Sequence, residues 1–194
     1  MFNIFRRAKV GVNENVKYEL RDSEGNVKPL FKANKLYTWL MTKGLASRNL
    51  TSRVFGKFVS ALEVSNLITL AGIAGIAARI NGSGSPAAFT YIALGTGTTG
   101  AASADTQLEA EITTSGGARA AASVSVVTTD DPGDTAQLQV TFNFTAGGTF
   151  AITESGVLNA ASTGTLLARQ VFSAINVASG DSLQVTWKFD VDTA

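Results

Sequence analysis

Residues 137–145, QLQVTFNFT, alternate without a break: Leu138, Val140, Phe142 and Phe144 are apolar, and Gln137, Gln139, Thr141, Asn143 and Thr145 are polar. A period of two puts every apolar side chain on one face of an extended strand, so the segment predicts a strand with one buried and one wetted face. Residues 182–191 repeat the pattern, with Leu183, Val185, Trp187, Phe189 and Val191 set against Ser182, Gln184, Thr186, Lys188 and Asp190. Two such strands need a second apolar surface to cover them.

Working outward, strand-like runs at 89–94, 118–128, 149–153 and 166–175 are separated by the turn signals DDPGD, AGG, ASTG and ASGD. Short strands with Gly-rich turns predict a mainly β fold, an antiparallel β-sandwich or jelly roll closed by burying two apolar faces together. Upstream of Pro86 the texture is mixed. Residues 16–21 and 27–31 flank the turn DSEGN and predict a short hairpin, which Pro29 limits to a strand end. Residues 35–43 predict a helix with Leu36, Trp39, Leu40 and Lys43 at core-like spacing, Asn34 as its N-cap and Gly44 at its C-cap. A second helix is expected over 52–63, with Phe55, Phe58, Val59 and Leu62 on one stripe. A third is expected over 67–80, where Ile73, Ile76, Ala77 and Ile80 share a face and Gly72 and Gly75 permit close backbone approach. That helix reads as a buried connection or as one packed on a neighbouring subunit. The punctuation NGSGSP, residues 81–86, places a boundary between an N-terminal mixed α/β extension, 1–81, and a sandwich domain, 82–194.

Composition removes much chemistry. The 194 residues contain no Cys and no His, which excludes disulfides, thiol nucleophiles, the common zinc ligand sets and imidazole bases. No apolar segment follows the early arginines as in a secretory signal, and the apolar run 67–78 is shorter than the roughly 20 residues a membrane helix needs. A soluble protein without a membrane span, made in a cytoplasm, is expected. The net charge of +1 hides a division: residues 1–60 hold twelve Lys and Arg against four Asp and Glu, a balance of +8, and residues 61–194 hold four against eleven, a balance of −7.

The segment YIALGTGTTG, residues 91–100, spells G-x-G-x-x-G with Gly95, Gly97 and Gly100. A dinucleotide fold would require a helix directly after it and an acidic residue about 20 positions on. Here the later position reads SGGARAAAS and strands follow, so the glycines are expected to end a strand and open a surface loop. Thr106 and Glu109 could form a capping box for a short helical turn beginning at Asp105. Asp130, Asp131 and Asp134 read as a hairpin turn rather than a metal loop. Glu109 and Glu111 read as solvated carboxylates, and no Ser or Thr has an evident activating base. No enzyme, cofactor or metal is expected. The basic N-terminal region lacks any recognised nucleic-acid motif; it reads as an anchor for acidic protein surfaces, with Arg6, Arg7, Lys9, Lys17 and Arg21 as its partner-binding residues.

Residues 89–122 followed by 152–189 carry a "GTGTT" loop, a "D-T-x-L" segment, an "I-T-E-x-G" turn and a "GDSLQVTW" strand. In this order they resemble structural proteins of tailed bacteriophages labelled tail-fibre-like or tail-collar-like, over roughly residues 66–190. The resemblance implies a virion protein, assembled in the host bacterial cytoplasm, homo-oligomeric and bound to other tail, collar or capsid subunits. Two alternatives accompany it: a capsid decoration protein whose basic arm crosses acidic capsomers, and a glycan-binding module that attaches to host surface sugars through exposed loops.

Overall fold

A computed structural model describes residues 10–43, 45–46, 55–84 and 86–193. In chain order the elements are β1 (Val10–Arg21), β2 (Val27–Lys28), β3 (Leu30–Ala33), α1 (Lys35–Thr42), β4 (Gly56–Val59), β5 (Leu62–Ser65), β6 (Leu67–Ile68) and α2 (Leu70–Asn81). They continue with β7 (Tyr91–Gly95), β8 (Ala120–Ala121), β9 (Ser123–Val127), β10 (Thr135–Asn143), β11 (Phe150–Leu158), β12 (Leu166–Val177) and β13 (Ser182–Thr193).

The two alternating segments that define the pattern pair with each other, Leu138 opposite Trp187 and Phe142 opposite Leu183. They lie in a sheet ordered β2-β1-β13-β10-β9, with β5 also hydrogen-bonded to β1. A second antiparallel sheet, β6-β12-β11-β7-β8, faces it. The inward faces meet as expected of a β-sandwich: Val16, Tyr18, Leu20, Leu138, Phe142, Leu183, Val185 and Trp187 bury against Ile92, Leu94, Ile152, Val157, Phe172 and Ile175. Tyr18 stitches the layers. Its ring lies 4.4 Å from that of Phe172 and its hydroxyl is 2.6 Å from Ser155 Oγ. Burial pushes the Tyr18 pKa up, because the phenolate would be stranded in an apolar core.

The expected boundary near residue 81 is not a division in space. β1 pairs with β13 along its whole length, Val10 opposite Thr193 through Arg21 opposite Ser182, and β5 and β6 also join the sheets. Sheet pairing ignores distance along the chain, and β1 offers Val16, Tyr18 and Leu20 at period two to a core that β13 alone would leave half covered. The mixed extension is the smaller unit β3, α1 and β4.

The hairpin β1–β2 forms where expected, with Asp22 accepting from the backbone of Glu24 and Asn26 and Pro29 separating β2 from β3. Asn34 caps α1 by accepting from the Tyr37 N–H at 2.8 Å. The buried face of α1 is Tyr37 and Met41, packed on Phe31 and Phe55, and not the expected stripe: Leu36 and Trp39 lie in solvent. Gly44 falls outside the described residues, and the capping position is Lys43.

The helix expected over 52–63 is replaced by strands β4 and β5. Residues 51–54 lie outside the described set. The spacing of Phe55, Phe58, Val59 and Leu62 fits a helix, yet β3 and β1 supply strand partners, and aromatic and branched side chains suit them. The third helix is present as α2, with Thr69 accepting from the Gly72 N–H as its cap. Gly72 has no room for a Cβ, because the Leu167 backbone lies directly against it.

Deleting residues 1–81 removes the central strand β1 with β5 and β6. The expected result is a product without cooperative thermal unfolding, which circular dichroism melting of the 82–194 fragment would check; a sharp melt would show that β1 is dispensable.

Candidate functional site

The glycine-rich loop ends β7 on the second sheet, and the segment 96–119 then folds back over that sheet. The neighbouring strands β11 and β12 each carry one charged residue: Glu154 in ITESGVL and Arg169 in LLARQVF. Both are buried, Glu154 completely and Arg169 to 2 % exposure. They are paired, Arg169 Nε donating to Glu154 Oε2 at 2.8 Å.

Glu154 is an anchor for the loop. Its Oε1 accepts from the N–H of Gly97 (3.1 Å) and Ala110 (2.8 Å), and its Oε2 also accepts from the N–H of Glu109 (3.1 Å). With the Arg169 bond, each carboxylate oxygen receives two donors, which offsets the cost of burying the charge. Arg169 reaches further, donating to Asp105 Oδ2 at 2.8 Å and to the Thr99 carbonyl at 3.1 Å, with Glu109 Oε2 at 3.5 Å. Burial by itself would lower the Arg169 pKa; the bonds to Asp105 and Glu154 outweigh it and hold the guanidinium above its ordinary value.

The glycines are thus explained by a close approach. A Cβ on Gly97 would stand 2.5 Å from Glu154 Oε1, and one on Gly95 would run into the same carboxylate. The loop binds anions through backbone N–H groups as a phosphate loop does, but the anions are side chains of the same protein, Glu154 on β11 and Glu109. Gly97 N–H serves Glu154, Thr99 N–H serves Glu109 at 2.8 Å, and Thr96 N–H serves the Ala110 carbonyl at 2.9 Å. The loop is correspondingly less superficial than expected, with Gly95 and Gly97 buried.

The expected helical turn at Asp105 is absent, because its would-be cap residue Glu109 is engaged elsewhere. Hydrogen bonds from the Thr99 backbone and hydroxyl hold the Glu109 carboxyl below its usual range. Glu111, expected in solvent, grips Arg119 with two bonds of 2.9 and 2.6 Å, and Arg119 also donates to the carbonyls of Ala160 and Thr163. In the loop DDPGD, Asp134 accepts from the N–H groups of Thr129, Asp130 and Asp131, a hairpin turn closed by a carboxylate.

Of the expected partner-binding residues, Arg6, Arg7 and Lys9 lie outside the described residues. Lys17 and Arg21 sit on β1. Lys17 pairs with Glu19 at 3.3 Å and lines a polar groove of about 390 Å³ with Asn15, Glu63, Thr186, Lys188 and Asp190. Arg21 donates to the Gly25 carbonyl across the hairpin turn. Sequence reasoning did not pair Glu154 with Arg169, although each is the one charged residue of its strand, a legible sign of a buried pair. Among the described residues no three His, Cys, Asp or Glu side chains gather as a metal site, and no helix is long and apolar enough to cross a membrane. Comparisons with family models, curated proteins and solved structures return no match.

Glu154→Ala strands the Arg169 charge and frees three backbone N–H groups. A loss of about 3–5 kcal/mol is expected for breaking such a buried pair, read as a Tm fall of about 6–20 °C. Gly97→Ala forces a clash with the same carboxylate and is expected to cost about 1–3 kcal/mol. Differential scanning calorimetry checks both; wild-type melting in either variant would refute the anchor.

At the Asp134 carboxyl, burial acts to raise the pKa, and the three N–H bonds with the Thr135 hydroxyl overcome it, holding the carboxyl well below its usual range. A folded pKa below the unfolded one, about 4, gives stability that is present above pH 4 and lost as pH falls. Melting temperature is expected to be flat from pH 5 to 7 and to drop below about pH 4, and Asp134→Asn should flatten that acid limb. An unchanged limb would remove Asp134 from the account.

Proposed function

We propose that the protein is a non-enzymatic structural component of a tailed-bacteriophage virion, seated in the tail at its collar or fibre-attachment region. The observation that carries this reading is where the resembling motifs meet. The GTGTT loop and the neighbouring D-T-x-L segment lie some 45 residues or more before the I-T-E-x-G stretch of β11, yet Gly97, Thr99, Asp105 and Glu154 converge with Arg169 in one clamp. Their common order therefore has a physical reason: each motif supplies one side of a single buried device. That device ties a loop and two strands together through buried hydrogen bonds, which suits a rigid building block, and the GDSLQVTW segment supplies the central strand β13. The basic N-terminal region, with its balance of +8, is the proposed anchor to acidic neighbouring virion proteins.

The same charge division supports capsid decoration as a second reading, since a basic arm also suits acidic capsomers. Copy number in purified particles, by quantitative mass spectrometry against the major capsid protein, separates the two. A few to a few dozen copies are expected for a tail or collar component. Hundreds would favour decoration, and none would end the virion reading.

A further inference from the structure

Two helices expose apolar faces. On α2, Leu70, Ile73 and Ile80 are 61 %, 54 % and 83 % exposed, and Ala74 and Ala77 between them are also exposed. Leu70, Ile73, Ala77 and Ile80 repeat at i, i+3, i+7 and i+10, the spacing of a helix-packing seam, and the two alanines make its middle shallow. The opposite side of α2, at Gly72 and Gly75, is the one pressed on Leu167 and Phe89. On α1, Leu36 and Trp39 are 58 % and 53 % exposed and stand next to Leu40. Contiguous large apolar side chains on a surface mark an interaction site.

The flanking charges differ in sign. Lys35 and Lys43, both exposed, bracket the Leu36 and Trp39 face, and Lys43 closes its C-terminal end. The seam on α2 starts at Leu70, whose N–H donates to the Ser103 carbonyl at 2.8 Å, beside the loop that carries Asp105 and Glu109. Those two carboxylates and Glu154 surround the one guanidinium of Arg169, so the cluster keeps two uncompensated negative charges at the N-terminal end of α2.

We propose that these faces bind each other between copies of the chain: α1 of one molecule lies antiparallel on α2 of the next. Trp39 fills the shallow stretch over Ala74 and Ala77, Leu36 lies toward Ile80, and Lys43 reaches the Asp105 and Glu109 end. The antiparallel sense follows from the charges, and it also sets the negative end of the α1 dipole near the positive end of α2. Because the two surfaces are different, each copy offers one and receives the other, the arrangement from which closed rings are built. The contact deepens the virion reading, on which its purpose rests, by naming how copies join.

The test uses the full chain in solution, with mass measured by light scattering after size exclusion. The wild type is expected to assemble beyond a monomer, more weakly at high salt. Trp39→Asp and Ile73→Asp should each be monomeric, and their equimolar mixture should give a one-to-one heterodimer, since it rejoins one intact α1 face with one intact α2 face. Assembly of Trp39→Asp like the wild type, a mixture that stays monomeric, or a wild type that is monomeric at about 100 µM would each overturn the proposal. Trp39→Gln and Ile73→Gln replace any Asp variant that loses its cooperative melt. Particle copy number is read independently: a solution monomer found in particles sinks this contact alone, and an assembling protein missing from particles sinks the virion reading alone.

Discussion

A carboxylate buried without water must be given donors, and the arrangement around Glu154 follows from that requirement. Its partners come from three stretches: the loop after β7, the segment at Glu109 and Ala110, and the guanidinium on β12. An apolar residue at the same position would pack against the sheet but would offer no acceptor to any of them. The charge thus contributes direction more than net stability, since burying an ion pair is costly and only full satisfaction of its lone pairs offsets that cost. The same carboxylate dictates the glycines, because a Cβ at Gly95 or Gly97 would collide with it.

Around this clamp the sandwich is conventional in its physics. Each sheet has one apolar face, and the faces meet over Trp187, Tyr18, Phe142 and Ile152. The hydrogen bond between the layers at Tyr18 and Ser155 lies one residue from Glu154, so the sheet-to-sheet contact and the loop anchor share the same short piece of β11. At the periphery, β3, α1 and β4 rest on a small cluster of their own around Phe31, Tyr37 and Met41, and their outer surface is the apolar and basic one.

What the sequence disclosed depended on how local the cause was. Strands with period two, as at 137–145 and 182–191, declare their buried face without reference to anything else, and the turns between them carry their own chemistry at Asp22 and Asp134. The place of β1 was not legible, since nothing in residues 10–21 states that the partner lies more than 160 residues away. The segment 56–65 misled for a related reason: its apolar spacing satisfies a helix, and only the waiting edges of β3 and β1 decide for strands. On α1 the apolar count was right and the side was wrong, because Tyr37 and Met41 also share a face and the neighbours choose between the two stripes. The clamp was half visible, as two charges, one in each strand, whose mutual pairing only the register of β11 and β12 supplies.

The position of β13 has a bearing on how the molecule is made. It is the strand synthesised last among those described, yet it stands in the middle of its sheet, between β1 and β10. Until it is in place, β1 and β10 each keep one hydrogen-bonding edge open, their other edges being taken by β2 and β5 and by β9. The sheet is completed only by a closure between segments more than 160 residues apart, a contact of high order that slows folding. During that interval the exposed edges of neighbouring nascent chains are the chief hazard, so yield on expression should depend more on chaperones and temperature than on the stability of the finished sandwich.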